Sequence, residues 1–395
     1  MTDDQLLPPL APPPESAWPP ENLEGLAAAR RKYPWWLKWV AAMAALALII
    51  GVAGTVIRVP YDTLSPGGTL ALERRVSVAG VKPESDRGVV MLLFVRLRSH
   101  IDLWQWLQAK IDPDIDLVKQ INETGGHSQR DADRQDVCDM TQSQISARVA
   151  ALTALGYRVP VISGLDVINL PESYDETGPD GKTVTRDFPA AKVLQPCDEI
   201  VAADGHVLKQ PNDLSKYVKA HRAGTAIALR IVRAGHTQTV SVPVVAALNT
   251  HLIGVDLGLR YKIPLRINID TSDIGGPSAG LAMALAIVNA LTPGDLTGGK
   301  RVAVTGTIDA AGRVGEIGGL PQKAVAARAS HAQIFIVPKC VTAATKAACQ
   351  KDLDTAQKRV GKSVELRPVS TLTEALKVLR AAGGAEVELQ SPPKN

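Results

Sequence analysis

Two short blocks hold the residues with the most chemical promise. One is Asp273-Ile274-Gly275-Gly276-Pro277-Ser278-Ala279-Gly280; the other is Gly318-Gly319-Leu320-Pro321-Gln322-Lys323. Ser278 stands in a tight Gly/Pro turn that opens an apolar helix. Glycines there let another backbone approach closely, and a helix start carries free N–H groups able to hold an oxyanion. Serine is also a common helix cap, so Ser278 alone does not separate capping from catalysis. Lys323 shifts the balance. It falls in the first turn of its own helix, ahead of Ala324, Val325, Ala326 and Ala327. The positive end of the helix dipole disfavours an ammonium, and small apolar neighbours desolvate it, which also lowers a lysine pKa. A neutral lysine is the general base that a serine nucleophile needs. The alternative is a first-turn lysine that reaches into solvent.

Other chemistries find less support. The 395 residues contain no His-Glu-x-x-His and no Cys-x-x-Cys, so no metal site is expected. The seven histidines are scattered, and none can be assigned to a Ser–His–Asp arrangement. Gly181-Lys182-Thr183 resembles the end of a phosphate-binding loop, but Glu176 stands where the pattern needs glycine and no apolar strand precedes it. That stretch reads as a polar loop, and neither a nucleotide nor another cofactor is expected. The 44 Lys+Arg against 40 Asp+Glu leave a mild net charge of +4 without a basic patch, which argues against nucleic acid.

The elements that must carry the two blocks begin with a membrane anchor. Residues 40–57 are 18 uncharged, mostly apolar residues. With Trp39 they would span roughly 28 Å as a helix, close to the ~30 Å hydrocarbon core. Trp35, Trp36 and Trp39 cluster at the entry, as tryptophan does at membrane interfaces. Arg30, Arg31, Lys32 and Lys38 precede the run, and Arg58 follows it. The positive-inside rule then puts the N-terminus in the cytoplasm and the remainder outside. A signal peptide cut near Val52 and Gly54 is the alternative, but the preceding region and the apolar run are both long for one. Residues 39–57 are therefore expected to contact the lipid bilayer in a single pass. Residues 1–32, with seven prolines in the first twenty, read as a disordered cytoplasmic tail.

Residues 59–150 read as a β-rich segment with helices at 101–110 and 142–155. Residues 151–245 read as mostly strand, with a long polar loop at 172–187 and a helix at 212–221. Residues 246–383 alternate strand and helix: helices at 278–291, 321–330 and 373–379, strands at 302–308, 334–337 and 363–368. Residues 384–395 read as a tail. The class is α+β, multidomain, with one N-terminal transmembrane helix.

The blocks around Ser278 and Lys323, with Thr305-Gly306, closely resemble the proteolytic domain of Lon-type serine peptidases over about 246–383. The resemblance makes Ser278 the nucleophile and Lys323 the base, and gives Thr305 and Asp273 as supporting residues. Asp198-Glu199-Ile200 with Asp204-Gly205 resembles the signature of a PDZ domain over 151–245, except that Cys197 stands where glycine is usual. An anchor (33–58), a PDZ domain and a Lon-type domain in that order is similar to the layout of YlbL-like bacterial membrane proteins, as are Tyr61 to Gly68 and Met140 to Gln144. That likeness implies proteolysis without ATP. It also implies protein or peptide substrates, peptide termini held at the PDZ groove, extracytoplasmic domains on a bacterial cell membrane, and a possible homo-oligomer. The competing reading is a PDZ scaffold or quality-control adaptor with a weak or silent protease domain. The four cysteines lie in the part expected outside the cell, where disulfides persist; Cys340–Cys349, close in sequence, and Cys138–Cys197 are the expected bridges, and buried free thiols are the alternative.

Overall fold

The computed structural model describes residues 34–81, 88–119, 129–171, 173–177, 182–247, 249–271 and 274–387. The expected tail 1–32, Asp273 and most of 384–395 lie outside the described residues. Helix α1 (Trp35–Val56) is a unit by itself. Lys38 is its one charged residue, and among the described residues it alone is long and apolar enough to cross a membrane.

The second unit, Ile57–Asn395, is built on two sheets. In the first, the strand order is Glu365–Val369, Ile334–Pro338, Arg301–Val304, Val89–Arg98, Tyr61–Ala71 and Asp116–Lys119. The first four run parallel and the rest antiparallel. A parallel sheet is covered on both faces, and its strands read as continuous apolar runs. Here every residue of Ile334–Pro338 is buried. Alternate side chains then feed two cores. Val90, Leu92, Val302, Val304, Ile334 and Ile336 join helices α3 (Gln129–Ala154), α5 (Gly280–Leu291) and α8 (Leu372–Ala381). Met91, Leu93, Ala303, Phe335 and Val337 join α6 (Leu320–Ala329) and α7 (Lys346–Val360). Helix α2 (Leu103–Ile111) lies between the strands Val89–Arg98 and Asp116–Lys119 in sequence, and Asp102 caps it.

The second sheet is antiparallel, in the order His236–Pro243, Ala226–Arg233, Glu199–Ala203, Val161–Asn169, Asp256–Tyr261. Helix α4 (Pro211–Ala220) adds Leu214 and Val218 to its core.

Several expectations are corrected. Residues 59–150 do not stand apart: they supply three strands of the first sheet, and α3 packs on α5. The cause is long-range pairing, since Arg301–Val304 needs a second neighbour and finds it in Val89–Arg98. Strand Asp256–Tyr261 belongs to the second sheet rather than to the domain expected from 246. The sheet built from residues 61–119 and 301–369 thus contains the second sheet as an insertion. The polar loop at 172–187 holds a hairpin, Ser173–Thr177 with Thr183–Asp187, whose Thr, Tyr and Val residues pair without any apolar alternation to signal it. Helix α3 begins at Gln129, well before the expected 142, because its first half is polar and leaves no apolar stripe. The strand expected at 302–308 breaks at Thr305-Gly306, where Gly306 takes φ +150. Both disulfides form, Cys138–Cys197 and Cys340–Cys349, with Cα–Cα distances of 5.5 and 5.7 Å.

Candidate active site

Ser278 sits in a one-turn 3₁₀ helix, Pro277–Ala279, that leads straight into α5. Gly276 enters that turn at φ +83, a conformation that side chains resist, and its N–H donates to the Asp136 carbonyl at 3.1 Å. The turn is held from behind by α3: Ser143 Oγ donates to the Pro277 carbonyl at 3.0 Å, and Gln144 Nε2 donates to Thr271 Oγ1 at 3.1 Å. Ser143, Ala147 and Ala150 recur at i, i+4 and i+7, so α3 presents a narrow face of small buried residues to α5.

The broken strand forms the opposite wall. Gly306 N–H donates to the Ser278 carbonyl at 2.9 Å, and its own carbonyl accepts from Leu281 N–H at 3.0 Å. A Cβ on Gly306 would come within 2.9 Å of Val314, so both the φ and the space call for glycine. This clip carries Thr305 to the site, where its hydroxyl donates to the Ser278 carbonyl at 3.3 Å.

Lys323 enters from the first turn of α6, after the left-handed Gly319. Its Nζ donates to Ser278 Oγ at 2.8 Å and to Thr305 Oγ1 at 3.2 Å. The side chain is 2% exposed, and it makes no ion pair among the described residues. Burial alone pushes its pKa from 10.5 down to about 7. An amine that is about half neutral near pH 7, in hydrogen-bond reach of a half-buried hydroxyl, can take that hydroxyl's proton.

The structure therefore brings Ser278, Lys323 and Thr305 together. Asp273 lies outside the described residues. Cys340–Cys349 is remote in role, tying the loop after Ile334–Pro338 to α7. Reading the sequence missed the backing of the turn by Asp136, Ser143 and Gln144. The segment Met140 to Gln144 carries a likeness, but a polar helix gives no local sign of what it braces.

Residues 262–381 match the Lon protease (S16) C-terminal proteolytic domain, and residues 154–244 match the PDZ domain. The chain thus carries a Lon-type proteolytic domain and a PDZ domain, with an N-terminal helix that fits a membrane anchor. Over 101 residues it is 39% identical to the Lon protease of Neorickettsia sennetsu, covering 26% of this chain and 11% of that protein. Over 92 residues it is 36% identical to Lon protease 1 of Bacillus subtilis, covering 23% of this chain and 12% of that one. The chain therefore spans about an eighth or less of these curated relatives. The PDZ domain of an SdrC-like protein from Listeria innocua is 21% identical and covers 24% of this chain and 92% of that one, at a TM-score of 0.20.

Proposed function

We propose that this protein is a membrane-anchored serine endopeptidase that works without ATP through a Ser278–Lys323 dyad. The observation that carries the reading is the 2.8 Å contact between Lys323 Nζ and Ser278 Oγ, at a lysine whose pKa is lowered to about 7. Ser278 Oγ attacks the scissile carbonyl carbon while Lys323 accepts its proton. The tetrahedral oxyanion is held by N–H groups in the first turn around Ser278 and Ala279, which precede helical hydrogen bonding. Lys323 then gives the proton to the leaving amine as the C–N bond breaks, leaving an ester on Ser278. Water, deprotonated by Lys323, cleaves the ester and restores both residues. Thr305 positions the lysine and the serine carbonyl.

The PDZ domain recruits peptide segments of protein substrates. The basic flank before α1 supports a cytoplasmic N-terminus and extracytoplasmic domains, and the pairing of all four cysteines in disulfides favours an oxidising compartment.

The test uses the full chain in detergent micelles with unfolded β-casein. Wild type should cleave it without ATP, at a rate that magnesium-ATP leaves unchanged, and Ser278→Ala should fall to background. Equal cleavage by the alanine variant would sink the assignment.

A further inference from the structure

Two hollows meet end to end along one strand. The first, about 460 Å³, is the groove between α4 and residues 251–257, with Leu214, Val218 and Ile253 in its lining. The second, about 900 Å³, has Leu259 and Tyr261 on one side and Ser143, Pro277 and Thr307 on the other. Pro211 and Leu257 line both, so the groove of the PDZ domain continues to the residue that precedes Ser278.

The strand along this path, Asp256–Tyr261, ends its sheet. One edge pairs with Val161–Asn169, and the other pairs with no strand among the described residues. Such an edge offers alternating N–H and C=O groups to an added strand. Just before it, the N–H groups of Ile253, Gly254 and Val255 donate to no acceptor among the described residues. Gly254 has φ +79, and its backbone lies tight against Phe188. Consecutive free N–H groups in a turn form a cradle for an anion, the way a terminal carboxylate is captured.

Direction follows from these positions. The cradle lies at the start of the strand, and Pro277 lies across the second hollow from Leu259 and Tyr261. A chain with its C-terminus in the cradle, added antiparallel, runs its upstream residues past Leu257, Leu259 and Tyr261 toward Ser278. From Gly254 to Tyr261 is seven steps, about 23 Å at about 3.3 Å each.

Building on the peptidase reading above, we propose that the enzyme measures its cut from the substrate's C-terminus. The substrate class is proteins or peptides with a free, extended C-terminal segment. That segment adds to Asp256–Tyr261, and Ser278 receives a bond about five to seven residues from the end, the count from Gly254 to Leu259 and Tyr261. The products are a trimmed chain and a C-terminal peptide of constant length, formed by the acyl transfer already written.

The test gives the full chain in detergent two random peptide libraries, each about 20 residues long, long enough to fill the path. They differ only in a free or an amidated C-terminus, and cut positions are read by mass spectrometry. In the free-acid library the cuts should fall in a narrow window counted from the C-terminus. Amidation should slow cleavage about tenfold or more, as expected for a lost charge-assisted hydrogen bond, and should blur the window. Ser215→Trp, which fills the groove from an exposed position on α4, should blur it too. Cuts spread evenly along free-acid peptides, with amides cut equally well, would overturn the proposal and leave the peptidase reading standing. Absence of any Ser278-dependent product would overturn both.

Discussion

Asp198 in the second sheet and Lys323 beside the first are buried almost equally, at 1% and 2% exposure, and meet opposite fates. Asp198 accepts from Arg233 through Nε at 2.8 Å and Nη2 at 2.6 Å, and from the Gln195 N–H at 2.8 Å. The pairing holds the Arg233 guanidinium above its ordinary pKa, and the carboxylate clips the start of Glu199–Ala203 to the end of Ala226–Arg233. Lys323 finds two hydroxyls and no anion among the described residues. Its neighbour Gln322 is fully buried, with neither amide atom partnered among the described residues. A buried charge with its counter-charge stays charged and ties elements together; a buried ammonium without one is driven to give up its proton, the state a general base needs.

The pair of substitutions Lys323→Met and Asp198→Ala tests this contrast with the largest effects. Lys323→Met should lower peptidase activity about 10²–10⁴-fold, the usual worth of a general base. Its resistance to urea should hold or improve, because an apolar side chain replaces a desolvated amine. Between about pH 7 and 10.5 the unfolded wild type binds a proton that folded Lys323 has released, so wild-type stability should rise with pH across that window. Lys323→Met should remove that rise. Asp198→Ala should cost about 2–3 kcal/mol in urea unfolding, because it removes the charge-assisted hydrogen bonds from Arg233 and the Gln195 N–H. Comparable destabilisation by both substitutions would break the contrast.

Disulfide removal sharpens it next. Cys138–Cys197 joins α3, which braces the Ser278 turn, to the PDZ sheet across a separation of 59 residues. In the chain-entropy view its loss costs about 4 kcal/mol, and that of Cys340–Cys349, with a separation of 9, about 3 kcal/mol. Paired serine substitutions should lower the melting temperature in that order. Thr305→Val gives the smallest change, about a tenfold fall in activity for one lost polar contact, with Thr305→Ser restoring most of it.

What the sequence disclosed follows the same physics. Ser278 and Lys323 were legible as candidates because each lies in a local pattern, a Gly/Pro turn and a helix start; Thr305 came only through the family resemblance, since the strand expected over 302–308 gave no sign of a break. The long apolar helix Trp35–Val56 was legible from composition alone. Pairings between distant segments were not. Nothing local in Val89–Arg98 marks it as the neighbour of Arg301–Val304, and nothing in Asp256–Tyr261 assigns it to the sheet that precedes it. The polar first half of α3 hid its length, and its support of the Ser278 turn stayed hidden because bonds such as Ser143 to the Pro277 carbonyl leave no periodic trace.

The central claim is that Lys323 is the neutral base for Ser278. Its most direct test needs no knowledge of the substrate: the pH dependence of Ser278 sulfonylation by phenylmethylsulfonyl fluoride in the full chain, with the modified residue identified by mass spectrometry. The account predicts a rate that climbs through about pH 7, as Lys323 loses its proton, and a flat slow rate in Lys323→Met. A rise only near the ordinary lysine value of 10.5, or modification at another serine, would contradict it.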